Sequence, residues 1–414
     1  MKAKKDKITE DQVRGFRYLK RIRPLLARLH KVGCQRDKAG NRRLFFDDYC
    51  ALVLLYQFNP LIDSMRMLQL AGELGKVQQT LEIKRFSLGS FSESPAVFEA
   101  ERLREVIGEL AIQMRPVAVD PRLSQVKYVI TLVDGTLLRA LPKLMESWCS
   151  TKKDGQPLHQ WKLHVHLEVG MPAPVRVERT TGHGNLGDER KNLRKNVESG
   201  RCYVTDRLYY DVSVLNAIHL VGSGYVCRAR DDLKYQVIEN RPLGEEDRQA
   251  GILQDAIVKI GEQREQPPNH PVRLVVVKDE PHPKRTRQGT KTSSGEILII
   301  TDQLDLPAWL IALIYRYRWS IELFFRFLKQ TLGCRHLLNQ RPGGIDIQVY
   351  CAVIACLLIH LETGRKPNKA MARMMGFYLS GLATEEEAVA FLNRPDRTGV
   401  KLAAQEALSK KVWG

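Results

Sequence analysis

Tyr315, Arg318, Glu322 and Lys329, in the stretch YRYRWSIELFFRFLKQ, carry the first chemical signal in this sequence. On a helix turning about 100° per residue, the four fall within an arc of roughly 60°. Most other positions are apolar: Trp319, Ile321, Leu323, Phe324, Phe325, Phe327 and Leu328. A helix packed on most sides, with one narrow strip of a phenol, two cations and a carboxylate, lines a cleft more readily than it meets water. The plainer alternative is a solvated face on which Arg318 and Glu322 pair at i, i+4 for a few tenths of a kcal/mol. Arg326 and Trp319 lie close to the same strip.

Two further carboxylates stand where strands are expected to end. VKYVITLVDGT (126–136) is an apolar run ending on Asp134-Gly135, and GRCYVTDRLYY (200–210) holds another ending on Asp206. Carboxylates that converge hold hard divalent cations through oxygen, leaving positions for water and phosphate. Two such ions about 4 Å apart activate a water and stabilise the leaving oxygen in phosphodiester cleavage. Each acid also has a bland reading: Asp134 as a turn former, Asp206 with Arg207 as part of a surface salt bridge. Asp231-Asp232 is the substitute for Asp206. Asp154, Glu168, Asp188, Glu189, Asp302 and Asp305 compete. His164 and His166 share one face of an alternating run but lack a third ligand for zinc. No phosphate-binding G-x-x-x-x-G-K-[ST] loop and no G-x-S-x-G elbow occurs.

The elements that must position these groups change character along the chain. Residues 1 to about 118 read as helical, with Thr9 as a possible cap, apolar helices over 44–58 and 64–74, and Ser94-Pro95 opening another. Helix, small-residue turn and helix beside basic residues also suit a DNA-reading helix-turn-helix, or an ordinary helical hairpin. From about 120 the period becomes two: 126–136, HQWKLHVHLEV (159–169), VRVERT (175–180), 200–210 and YVCRARDD (225–232) read as strands. VLNAIHLV (214–221) reads as a helix. EDRQAGILQDAIVKIG is a polar helix candidate, VRLVVVKD and EILIITD are strands, and the tail from 341 is mostly helical.

The 414 residues suffice for two or three domains. A net charge of +18, spread along the chain, points to a polyanionic partner, most simply nucleic acid. Eight cysteines without C-x-x-C spacing read as buried thiols in a reducing compartment. No signal peptide is apparent, and the run VYCAVIACLLI is about 11 residues, short of a bilayer span. The expected location is the cytoplasm, with no membrane partner.

With these residues assembled, the sequence resembles the bacterial DDE transposases of the insertion-sequence-four family. Their Tyr-x2-Arg-x3-Glu-x6-Lys signature is matched by Tyr315, Arg318, Glu322 and Lys329, followed by a similar LGCRHL. VDGT at Asp134 matches the family's D-G-T or D-S-T strand end. Asp206-Arg207-Leu208-Tyr209 matches its D-R-G-Y/F block with leucine for glycine. The resemblance implies an α/β fold, with an RNase H-like mixed-sheet core, a mostly β insertion and helical N- and C-terminal regions. The implied division is 1–118 as a helical DNA-binding region, 119–232 as the first part of the core, and 233–295 as the insertion. The second part of the core, with the glutamate helix, would span 296–345, and a helical C-terminal region 346–414.

It also implies that Asp134, Asp206 and Glu322 hold two Mg²⁺ ions, with Mn²⁺ able to substitute. Tyr315, Arg318 and Lys329 would grip DNA phosphates, with Arg326 and Arg207 as further DNA contacts. The partners would be double-stranded terminal inverted repeats and target DNA, bound by a dimer. The implied reaction is cleavage at the transposon ends and strand transfer of the 3′-OH. The rival readings are a transposase-derived DNA-binding protein that does not cut, and an RNase H-fold nuclease without strand transfer.

Overall fold

The computed structural model describes residues 17–38, 40, 42–59, 61–114, 119–139, 148–151, 157–181, 186–261, 267–278, 295–330 and most of 332–393. The chain divides into two compact units, residues 1–115 with 327–414, and residues 116–326. Thr9 and Asp154 lie outside the described residues.

The first unit is helical where described. Its Phe46–Phe58 helix is buried at every position, as an apolar sequence on all faces demands. Asp47 and Asp48 open that helix, where its dipole favours negative charge, and are met by His30 and Arg23. The Phe46–Phe58 helix packs against Pro342–Thr363. The latter begins with proline at its first position and ends at Gly364, whose φ of 63° suits glycine. Its apolar part reaches 20 residues rather than about 11, long enough to cross a membrane, but 89% of that window is buried inside the protein. Ser94-Pro95 does not open a long helix. It forms a three-residue 3₁₀ turn, because the Ser94 hydroxyl donates back to the Ser90 carbonyl at 2.6 Å instead of capping forward. The next α-helix starts at Leu103. Six of the seven described cysteines are buried, and Cys34 is half-buried.

The second unit is built on one ten-stranded mixed sheet. Its first part comprises β1 (Val129–Arg139), β2 (Trp148–Thr151), β3 (Pro157–Glu168), β4 (Arg176–Thr181), β5 (Arg201–Thr205) and β6 (Gly224–Arg228). β1, β3 and β4 pair antiparallel, while β5 and then β6 add parallel to β1. The Leu186–Lys195 and Val212–Leu220 helices supply the two crossovers that parallel pairing requires. An antiparallel meander followed by two helix-linked parallel strands is the RNase H-like arrangement.

Four more strands extend the same sheet: β7 (Tyr235–Asn240), β8 (Ile252–Ile260), β9 (Val272–Lys278) and β10 (Glu296–Thr301). The order beyond β6 is β10-β9-β8-β7, all antiparallel. The helix expected over EDRQAGILQDAIVKIG is therefore corrected. Only Glu245–Gln249 is helical; Gly251 turns the chain at a φ of 80°, and ILQDAIVKI becomes β8. Its Ile, Val and Ala residues find a sheet edge to bury against, which overrides helical propensity.

The alternation in β3 predicted one wet face, yet His164 and His166 are 2% and 3% exposed. His164 Nε2 meets Thr180 Oγ1 at 2.9 Å, while its Nδ1 and His166 Nε2 are buried without partners among the described residues. Burial pushes both imidazoles down to about 4; Lys162 adds to the effect on His164 and Arg176 to that on His166. Both must be neutral in the folded protein, whereas an unfolded histidine titrates near 6.5. The folded values are the lower ones, so their stabilisation is complete above about pH 6.5 and is lost as pH falls toward 4. The loss should total on the order of a few kcal/mol. Denaturant midpoints measured across that window should fall steeply, and His166→Leu should flatten the slope. A wild-type midpoint independent of pH would refute the assignment.

Candidate active site

Strand register brings the two aspartates together. β1 and β5 run parallel, with Leu132 opposite Val204 as their last pair. Asp134 and Asp206 each lie two residues further on, so they emerge at the same level on the same face of the sheet. Asp134 is not at the end of its strand, as the sequence suggested. β1 continues to Arg139 because β3 keeps pairing with it, Asp134 lying opposite Val165. Only on the β5 side does pairing stop before Asp134, and that is the side Asp206 occupies. Asp206 follows the last β5 residue and caps a single turn, its Oδ1 accepting from the Leu208 amide at 2.9 Å. Asp134 Oδ1 accepts from the Gly135 amide at 2.7 Å.

Burial, and then the negative charge of Asp206, push the Asp134 carboxyl up to about 7. Glu189 adds to this rise, while Arg318 and the Gly135 amide oppose it. A half-buried carboxyl with a second carboxylate beside it binds a proton, or a cation, to relieve the repulsion.

The third acid comes from the helix side, but not on the single helix that the periodicity predicted. Ala308–Arg316 and Trp319–Gln330 are separate helices. The junction is tightened by three-residue hydrogen bonds, Arg318 N to Tyr315 O at 3.0 Å and Ile321 N to Arg318 O at 3.1 Å. Tyr315 and Arg318 still meet, with the guanidinium 5.8 Å from the ring centroid. Arg318 donates to Glu322 Oε1 at 2.6 Å and approaches Asp134 Oδ2 at 3.7 Å. The guanidinium therefore ties Asp134 to Glu322. The three acids are not among the groups whose ligand atoms all lie within 4.8 Å of one another. The Arg318 guanidinium is the positive charge that lies between Asp134 and Glu322.

Arg207 is exposed and pairs with Asp231 at 3.3 Å. Asp231 is also engaged by Arg228 at 3.3 Å. Arg326 is exposed and lies 5.9 Å from the Trp319 ring centroid. Lys329 continues the same helix and belongs to the first unit. Glu168 pairs with Arg201. Asp302 accepts from the Tyr225 amide, and His219 Nδ1 lies 3.1 Å from its other oxygen.

Glu189 was only one competitor among many in the sequence, and the structure raises its standing. It is 4% exposed and paired with Lys162 at 2.8 Å, and its Oε2 is buried without a partner among the described residues. A Cβ at Gly135 would lie 2.7 Å from Glu189 Oε1, so a larger residue after Asp134 would push the end of this side chain aside. The only sequence signal was an acid at the start of a helix after a glycine-rich loop.

The donor set suits a hard divalent cation: carboxylate oxygens throughout, with no thiol or imidazole among Asp134, Asp206 and Glu322. Two other groups of possible ligands, His219–His270–Asp302 and His30–Asp47–Asp48, occur among the described residues. Both are already hydrogen-bonded or ion-paired within the protein.

A family model described as the transposase DDE domain matches residues 125–358. The chain is 24% identical over 234 residues to the Sinorhizobium fredii protein named transposase y4zB, covering 56% of this chain and 60% of that protein. It is 25% identical over 321 residues to the transposase named for insertion sequence element IS4SA of Synechocystis, covering 77% and 80%. A transposase named for element IS5377 of Geobacillus stearothermophilus is 25% identical over 219 residues, covering 51% of this chain and 52% of that protein. The matches thus span from about half to four-fifths of these relatives. The synaptic complex of piggyBac transposase with hairpin DNA aligns at a TM-score of 0.40 and 10% identity, over 93% of this chain and 80% of that one, too remote to argue from. With the family model matched over more than half of its length, the chain belongs to the DDE transposases of bacterial insertion sequences.

Proposed function

We propose that this transposase cleaves DNA at the ends of its own element and joins the freed 3′-OH to target DNA, using Asp134, Asp206 and Glu322. The carrying observation is the register that sets Asp134 beside Asp206, with Arg318 linking Asp134 to Glu322. The three carboxylates would hold two Mg²⁺ or Mn²⁺ ions. When bound, such ions lower the pKa of a water and neutralise charge on phosphate oxygens.

In the first step water attacks phosphorus and the P–O3′ bond breaks; the attacking water gives a proton to solvent, and the leaving 3′-oxygen takes one up from solvent to become the 3′-OH. In the second the free 3′-OH attacks a target phosphodiester, and that bond's own 3′-oxygen leaves. Neither step needs a covalent link to protein. Arg318 is the residue that must move: its guanidinium leaves Glu322 and turns to a phosphate, which it can grip through two donors. The Tyr315 ring supports it on one side. Lys329 and Arg326 would contact the same DNA further along, and Arg207 would do so after leaving Asp231. A dimer would pair two terminal inverted repeats, with the helical 1–118 region reading them, in the bacterial cytoplasm.

The test is nicking of plasmid DNA that carries the element's ends, scored separately from strand transfer of pre-cut ends. Nicking should require Mg²⁺ or Mn²⁺, stop on chelation, and fall at least about a thousandfold in Asp206→Asn. Metal-independent nicking, or full activity in Asp206→Asn, would remove this reading. Cleavage without joining would instead indicate a nuclease.

A further inference from the structure

We infer that the outer face of the Leu186–Lys195 helix binds the phosphate backbone of DNA that continues past the scissile phosphate, on the side away from Tyr315 and Arg318. This rests on the transposase reading above and adds a second DNA contact to it.

The helix has two faces. Glu189, Leu193 and Asn196 are buried at i, i+4 and i+7 around its C-terminal half. Lys191, Arg194 and Lys195 are exposed. With Arg190, Asp211 and Ser213 they line an open groove of about 550 Å³. Four cations against one carboxylate make that groove strongly positive. Asp211 is already engaged by Arg190 at 3.0 Å. Lys191 and Lys195 pair with no carboxylate among the described residues. Among the described residues Arg194 reaches only the Ser213 hydroxyl, at 3.4 Å. Solvated cations in adjacent i, i+4 rows fit a regularly spaced polyanion better than a single small anion.

The groove is also wired to the candidate catalytic turn. Arg190 Nε donates to the Leu208 carbonyl at 3.0 Å, and the Leu208 amide donates to Asp206 Oδ1 at 2.9 Å. Two hydrogen bonds therefore separate the basic face from Asp206. The helix packs on the sheet face that carries Val133 and Tyr203, through Leu193. Strand alternation turns Asp134, Arg318's neighbour, to the opposite face. A strand of DNA held by Arg318 at one side of Asp206 must round the end of β5 to reach this groove, so the two contacts lie on opposite sides of the phosphate being cut. The ligand is the phosphodiester backbone of the donor flank that continues past the cleavage site.

A purely structural account exists: Arg194 and Lys195 lie in the last turn, where cations complement the helix dipole. That account predicts a change in stability and none in DNA affinity. The test uses the full chain with Lys191→Ala, Arg194→Ala and Lys195→Ala combined. Arg190 is kept because it holds the Asp206 turn. Three duplex probes are titrated over a range of salt: an element end stopping at the cleavage site, the same end continued into its flank, and a random-sequence duplex standing for target.

Each lost phosphate contact lowers the salt slope by about 0.9 and costs about eightfold in affinity near 0.1 M salt. The triple variant should therefore lose about 2–3 in slope and about 500-fold in affinity on the flanked probe, whereas a loss confined to the random probe would place target DNA there and overturn the inference. The probe ending at the cleavage site should bind as in wild type. Exchanging the charges conservatively (Lys191→Arg, Arg194→Lys, Lys195→Arg) should restore the slope. Unchanged slopes on all three probes, with or without a lower melting temperature, overturn the inference, as does an equal loss on all three. If wild type neither binds nor nicks any probe, the transposase reading itself has failed.

Discussion

Glu322→Gln is expected to leave DNA binding intact while metal-dependent cleavage falls by at least about a thousandfold, roughly 4 kcal/mol of transition-state stabilisation. The substitution preserves shape. The amide oxygen can still accept from Arg318, which now donates to the carboxylate at 2.6 Å. What disappears is one of the three negative charges that, in the proposed function, would serve two divalent ions. Glu322 lies in the first turn of its helix, so neutralising it forgoes a dipole interaction of about 0.3–1 kcal/mol, too little to unfold the unit. The change should also weaken Mn²⁺ binding, measured by calorimetry on the metal-free protein, which separates a lost ligand from a lost fold. Wild-type nicking by Glu322→Gln would end the assignment of this residue. Loss of DNA binding together with nicking would assign it to phosphate-binding geometry instead.

The second large effect concerns stability. Asp255→Ala should destabilise the protein by about 3–5 kcal/mol, because it leaves a buried guanidinium without its counter-charge. Arg273 is 1% exposed and Asp255 5%. They form a two-pronged pair at 2.7 Å on each prong. Arg273 Nη1 also donates to the carbonyls of Gln303, Leu304 and Leu306, the segment that leads into the Ala308–Arg316 helix. The extended sheet thereby anchors the helix that carries Tyr315 and leads to Arg318. Asp255→Ala/Arg273→Met should recover most of the loss, since an apolar pair needs no desolvated charge. Urea unfolding of the three variants decides it. A loss below about 1 kcal/mol in Asp255→Ala would mean water reaches the pair.

Much of the chemistry could be read locally. Asp134 and Asp206 each close an apolar run, Glu322 lies on a polar strip along another, and a run such as VKYVITLV announces a buried strand because β-branched residues suit a pleated surface. The buried helix over Phe46–Phe58 was equally plain, being apolar on every face. Elements whose residues conflict with their neighbourhood were not legible. ILQDAIVKI has a helical look and becomes β8 because β9 and β7 offer it hydrogen bonds on both edges. His164 and His166 look wet and are buried, since alternation says which residues share a face but not what covers it.

The sequence by itself determined which residue types exist to bind cations and phosphate, and the apolar runs that present them. Tertiary structure alone decided that Leu132 pairs with Val204, and so that two aspartates far apart in sequence stand side by side. It also decided that the helix breaks before Trp319 so that Arg318 reaches both Asp134 and Glu322, and that Glu189 fits against Gly135. Register and close approach depend on hydrogen bonds and packing between distant segments, and no local spacing encodes them.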